Sequence, residues 1–182
     1  MTRWMLRSPK AGASIVNDVS GFTFDPKLAP LCAARGVPVC VMHAQGEPQT
    51  MQQNPAYDDV LLDVYDALAA RIDALMAQGI SRAHITADPG IGFGKTLEHN
   101  LAILNRISLF HGLGVPILLG ASRKRFIGTL GRAPEAQDRG PGSIAVALAA
   151  LAQGVQILRV HDVAEHAQAI ALWQAAVAHA KP

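Results

Sequence analysis

Ten residues whose side chains could bind or react fall at five places in the chain, each just after a short apolar run. They are Asn17 and Asp18; Met42 and His43; Asp88; Ser122, Arg123 and Lys124; and Arg159 and His161. Asp and Asn suit a flat heterocycle that presents N–H donors and a carbonyl. Arg beside His, with Lys124 and Arg123 at the end of the preceding apolar run, suits a phosphate or pyrophosphate. The densest stretch is Asp88-Pro89-Gly90-Ile91-Gly92-Phe93-Gly94-Lys95, where alternating glycines permit close approach to a ligand and positive φ. Its Phe93 offers a ring face to an aromatic co-substrate. The stretch is neither a phosphate-binding P-loop nor GxGxxG, because its glycine spacing fits neither pattern. These residue types together point to a substrate joining a heterocycle to a phosphorylated leaving group.

Elements must bring these residues together. The apolar runs 13–18, 37–42, 84–87, 116–119 and 156–160 read as short buried strands. Between them lie helical patterns. Asp25-Pro26 reads as a cap with a first-turn proline, and Gly36 as the terminator. Asn54-Pro55 reads the same way ahead of a helix over 57–78, whose stripe is Tyr57, Val60, Leu61, Val64, Leu68, Ile72 and Leu75. Thr96 caps the next helix, 131–142 reads as a loop, and 143–153 as helical. Asp162 with Glu165 forms a capping box for a last helix running to about His179. Strand–helix alternation without hairpin signals predicts a parallel α/β sheet with right-handed crossovers. In such sheets and barrels, ligands bind at the C-terminal strand ends, where all five groups fall.

The chain has 182 residues, half of them hydrophobic and 16% charged, with a formal charge of +2. That suits one domain with a substantial core and excludes general disorder. The charge is too small, and basic runs too short, to expect nucleic acid. No apolar run reaches the ~18–20 residues of a membrane span. Cys32 and Cys40 have no metal-ligand or redox spacing, and with no secretory leader read they suggest reduced thiols and a cytoplasmic protein.

Five motifs then carry a resemblance: Ile15–Gly21; Val41-Met42-His43 with Gly46 and Met51; Asp88–Lys95; Gly120–Lys124; and Arg159–Val163. In that order and spacing, across about residues 11–180, the chain resembles the dihydropteroate synthases, pterin-binding (βα)8 TIM barrels. The resemblance implies condensation of 6-hydroxymethyl-7,8-dihydropterin pyrophosphate with p-aminobenzoate, releasing pyrophosphate in folate synthesis, and a sulfonamide target. It implies that Asn17, Asp88 and Lys124 bind the pterin, with Met42 and Gly120 lining its slot. Arg159 and His161, with Arg123 near, would hold the pyrophosphate, while Phe93, Ser122 and Arg125 border the p-aminobenzoate. Lys124, Arg159 and His161 are the catalytic candidates. It also implies a homodimer and Mg2+, whose protein ligand in the family lies outside the matched part, so no metal ligand is expected in this chain.

Residue 11 aligns with the approach to the family's fourth strand, and residues 1–10 do not resemble the family there. The expectation is therefore an atypical segment 1–10 followed by the C-terminal part of a barrel over 11–182, with about five strands. Five strands cannot close an eight-stranded barrel, which implies open edges, exposed apolar surface and weak or absent activity. Two other readings are a non-catalytic pterin-binding partner of a complete synthase and a methyltetrahydrofolate-type methyltransferase barrel. The Arg159–His161 pairing with Ser122–Lys124 argues against the latter, whose ligand carries no pyrophosphate.

Overall fold

A computed structural model of the chain describes residues 14–46 and 51–179. The expectation for residues 1–10 lies outside them. Among the described residues five parallel strands are present: β1 (Val16–Asp18), β2 (Val39–Met42), β3 (Ile85–Asp88), β4 (Leu118–Leu119) and β5 (Ile157–Leu158). β1, β2 and β3 pair in sequence order, as do β4 and β5. A parallel bridge between Ala87 and Ile117, with Ala87 N–H donating to the Pro116 carbonyl, joins the two groups. Strand order therefore follows chain order without reversal, which is the topology of a barrel segment and not of a doubly wound sheet.

Six α-helices accompany the strands among the described residues: α1 (Leu28–Arg35), α2 (Val60–Ala77), α3 (Leu97–Asn105), α4 (Arg125–Leu130), α5 (Gly140–Ala152) and α6 (Val163–His179). Of the stripe read from the sequence, Val60, Leu61, Val64, Leu68, Ile72 and Leu75 of α2 are all buried, while Tyr57 stands ahead of the helix and is half-buried. They pack in one core with Val39, Val41, Ile85 and Ala87 of the sheet and with Ile103, Ile107 and Phe110 in and beyond α3. Burying each such side chain stabilises the fold by about 1.5–3 kcal/mol before the entropy of ordering is counted. Val39 and Val41 face this core. Alternation along the strands turns Asn17, Cys40, Met42, Thr86 and Asp88 to the opposite face, in rows set by the register.

Three boundaries differ from the sequence reading. Helix α2 starts at Val60, where the Asp59 carboxylate accepts the N–H groups of Leu61 and Leu62. Asn54 instead sits at φ +52 in a loop. The stretch read as a loop over 131–142 contains a 3-10 turn, Ala136–Arg139, and the start of α5, whose first turn accepts Pro141 because an N–H there has no helical partner. The capping box at α6 also gives way, since the Asp162 carboxylate is engaged by Arg123. Thr96 does cap α3, its hydroxyl accepting the His99 N–H.

The open sheet shows at its flanks. Ile15 and Val19 beside β1 are 47% and 46% exposed, and Val163 and Leu172 of α6 are 66% and 68% exposed.

Candidate functional site

Parallel strands put all five C-terminal ends on one side, so the sequence-predicted residues converge. At their centre is Asp88, 1% exposed. Its Oδ1 accepts the Gly90 N–H at 2.8 Å, and Arg159 Nη2 stands 4.0 Å from its Oδ2. Burial pushes this carboxyl above its ordinary value, against the opposing pull of the Gly90 N–H and of Arg159, Lys95 and Lys124. Met42 is paired with Asp88 in the strand register. Asn17, further along the β1 edge, is exposed on the same sheet face.

Arg159 lies across Gly120, where a Cβ would come within 2.8 Å of its Nη2. Beside it, His161 Nδ1 is 3.0 Å from the Ser122 hydroxyl, which also accepts the His161 N–H. Gly120, Ser122, Lys124, Arg159 and His161 line a cavity of about 320 Å³. A second cavity, about 460 Å³, is bordered by Gln52, Gly92, Asn100, Arg125 and Phe126. Lys124 lines both, with its Nζ 4.0 Å from the centre of the Phe93 ring. Burial and the neighbouring Arg159 lower the Lys124 ammonium's pKa, while Asp88 opposes them.

Arg123 stands apart from this group. Its guanidinium forms two hydrogen bonds to the Asp162 carboxylate, whose pKa it lowers. Its backbone takes φ +57, with its N–H given to the Ser143 hydroxyl and its carbonyl accepting from Arg139. The phosphate role expected for Arg123 is therefore replaced by a tie between two loops: the one carrying Ser122 and Lys124, and the one carrying Arg159 and His161.

The glycines also serve another end than ligand approach. A Cβ on Gly90 would lie 1.8 Å from the His43 carbonyl oxygen, and one on Gly94 would lie 2.3 Å from that of Gln45. The loop after β3 is thus pressed against the backbone after β2. Gly92 instead meets the aliphatic chain of Lys124. Two residues that the sequence reading passed over, and Tyr57, which it placed on a helical stripe, pin this loop: Asn100 accepts the Gly92 N–H, Gln52 donates to the Gly92 carbonyl, and Tyr57 donates to that of Gly94. Only the glycine spacing hinted that something must hold so irregular a segment.

No group of three or more His, Cys, Asp or Glu side chains among the described residues could hold a metal ion. Among the same residues no helix is long and apolar enough to cross a membrane.

Residues 3–161 match the pterin binding enzyme family. The chain is 43% identical over 165 residues to the dihydropteroate synthase of Neisseria meningitidis serogroup C, covering 90% of this chain and 58% of that protein. It is 42% identical over 168 residues to the synthase of Escherichia coli K12, covering 92% and 59%. The structure of dihydropteroate synthase from Thermus thermophilus in complex with 4-aminobenzoate matches with a TM-score of 0.90 at 40% identity, over 96% of this chain and 71% of that one. The same enzyme in complex with 6HMPPP matches with a TM-score of 0.87 at 41% identity, over 92% and 66%. The chain spans less than two thirds of the length of the curated relatives it matches.

Proposed function

The chain belongs to the pterin binding enzyme family, and on that premise we propose that its site binds 6-hydroxymethyl-7,8-dihydropterin pyrophosphate and p-aminobenzoate and joins them as a dihydropteroate synthase does. The observation that carries this reading is that Lys124 lines both cavities. A buried carboxylate, Asp88, lies with Arg159 on one side, and the Phe93 ring lies under the ammonium.

The pterin ring gives its N–H donors to Asp88, with Met42 and Gly120 against its faces and Asn17 and Lys124 at its polar edge. Ionisation of the C–O bond leaves a cation stabilised by the pterin and moves the bonding pair onto the pyrophosphate. Arg159 and His161 meet that growing charge, so their contribution is largest in the transition state. The neutral aniline nitrogen, held along Phe93 with its carboxylate toward Ser122 and Arg125, then attacks the cation and loses its proton to solvent. Magnesium is implied by the family but has no matching donor cluster among the described residues, and these steps are those of the chain's own side chains. We assign them to residues 11–182 as one domain. The homodimer is carried by the resemblance alone, and a cytoplasmic location by the reading of Cys32 and Cys40 as reduced thiols.

The exposed Ile15 and Val19 at the β1 edge favour one other reading, a pterin-binding subunit that pairs with a complete synthase. Incubating purified chain with both substrates and following dihydropteroate by chromatography separates the two. Product that disappears in Asp88→Asn supports the synthase. Pterin binding without product supports the subunit, and absence of pterin binding refutes both.

A further inference from the structure

Lys95 ends the glycine loop and is 3% exposed, a rare state for a lysine. It borders the larger cavity, yet its ammonium is spent inside the protein. Nζ lies 2.9 Å from His43 Nδ1 and donates to the Phe93 carbonyl at 3.1 Å. One contact reaches the residue that follows β2; the other reaches the aromatic residue of the loop itself.

We propose that Lys95 is the positioning residue of the aromatic wall, tying the Phe93 carbonyl to His43 so that the Phe93 ring is fixed beneath Lys124. This deepens the synthase reading and rests on it for the identity of the aromatic amine. The argument begins with the backbone. Phe93 sits between Gly92 at φ +77 and Gly94 at φ +62, outside any helix or strand, so no ladder sets the direction of its ring. Its direction depends on how the neighbouring peptides are held. Asn100, Gln52 and Tyr57 hold those of Gly92 and Gly94, and Lys95 holds the carbonyl of Phe93 itself.

The charge is not there for packing. An apolar side chain of similar length would fill the same space without the desolvation penalty that a buried ammonium carries. Burial lowers Lys95 to about 7, helped by Lys124 and opposed by Asp88. Burial and the Lys95 charge lower His43 to about 3. Below neutral pH the ammonium is therefore the donor and the neutral imidazole the acceptor.

The test uses the full chain near pH 6, within the window where lysine is charged and imidazole neutral. In the wild type, the Lys124 ε-methylene resonances should be shifted upfield by the ring current of Phe93, 4.0 Å from Nζ. In Lys95→Met that displacement should collapse while thermal unfolding stays cooperative. Affinity for p-aminobenzoate should fall about tenfold and affinity for the pterin pyrophosphate change less than about threefold, since a misplaced wall harms the ligand it touches. Retention of the upfield shift, or an equal loss of both ligands, overturns the proposal. Should Lys95→Met not fold, the wild type gives a second measurement. A slowly exchanging Lys95 ammonium resonance with cross-peaks to Phe93 supports the tie, and its absence overturns it. Loss of the ring-current shift in Lys95→Met with no ligand bound by either protein would sink the synthase reading and leave the positioning role standing. Ligand binding by the wild type with an unmoved shift would sink the positioning role alone.

Discussion

Acid should unfold this protein through His43, and the size of the effect follows from its surroundings. Folded, the imidazole is held neutral to about pH 3 by burial and by the Lys95 ammonium 2.9 Å away; unfolded, it protonates near its ordinary 6.5. As pH falls, the unfolded chain therefore takes up the proton first. The stability this group contributes is complete above the unfolded value and is lost progressively down to the folded one. Linkage puts the loss between about pH 6 and about pH 4.5 at about 2 kcal/mol, a large share of an ordinary domain's stability. Lys95 adds little there because it is charged in both states. Asp88, whose pKa is raised on folding, works in the opposite direction but is common to any comparison that leaves it intact. His43→Asn is the right perturbation, because its side-chain oxygen can replace Nδ1 as acceptor for Lys95 without titrating. Urea unfolding of both proteins at several pH values gives the measurement. The wild type should lose about 2 kcal/mol more than the variant over that window. Parallel curves would refute the account of His43 as a half-buried neutral acceptor.

Two further predictions concern the cations. Gly120→Ala places a Cβ 2.8 Å from Arg159 Nη2, the far end of a flexible side chain. The fold should survive, but calorimetry with pyrophosphate should show about tenfold weaker binding as the guanidinium swings away; unchanged affinity would remove Arg159 from that role. Asp162→Asn and Arg123→Gln should each weaken pyrophosphate binding, and the double variant should be no worse than either single one, because both break the same tie. An additive double variant would show that the two act separately.

The sheet was readable because compact apolar runs alternating with 3.6-residue stripes leave little choice of class, and parallel strands then force all their C-terminal ends to one side. Boundaries were harder, since several residue types compete to open a helix. Asn54-Pro55 has the right chemistry, but Asp59 has it five residues nearer the apolar stripe and holds two N–H groups. Glycine and proline at 140–142 read as breakers although a helix accepts both in its first turn. Asp88, Lys124, Arg159 and His161 were legible as a set from strand-end position alone. Arg123 was misread because its partner Asp162 lies 39 residues on, and no local pattern announces such a pair. Lys95 stood in the sequence only as the end of the glycine-rich stretch, with no role assigned to it. Its burial depends on His43, 52 residues earlier, which only the fold brings beside it.

On the proposed reading, the separation of Asp88 and Arg159 lets one small site address both ends of a ligand. At 4.0 Å, Nη2 is beyond hydrogen-bond reach of Oδ2. A closer pair would spend carboxylate and guanidinium on each other. The absence of a side chain at Gly120 lets the guanidinium lie there, attracted by Asp88 yet 44% exposed toward the cavity. Asp88 is left buried, with its charge only partly offset, so a ligand that brings N–H donors gains what the protein withholds. The ionised carboxylate is the form such donors prefer, and burial raises the pKa at which it forms. Affinity for the pterin should therefore fall on acidification at pH values above the ordinary carboxylate range near about 4. Arg159→Gln, which removes one of the cations holding that pKa down, should move the fall to still higher pH. Calorimetric titrations of pterin against pH test both statements. A profile that is flat down to about pH 4 in both proteins would mean that the ionised Asp88 is not what the pterin binds.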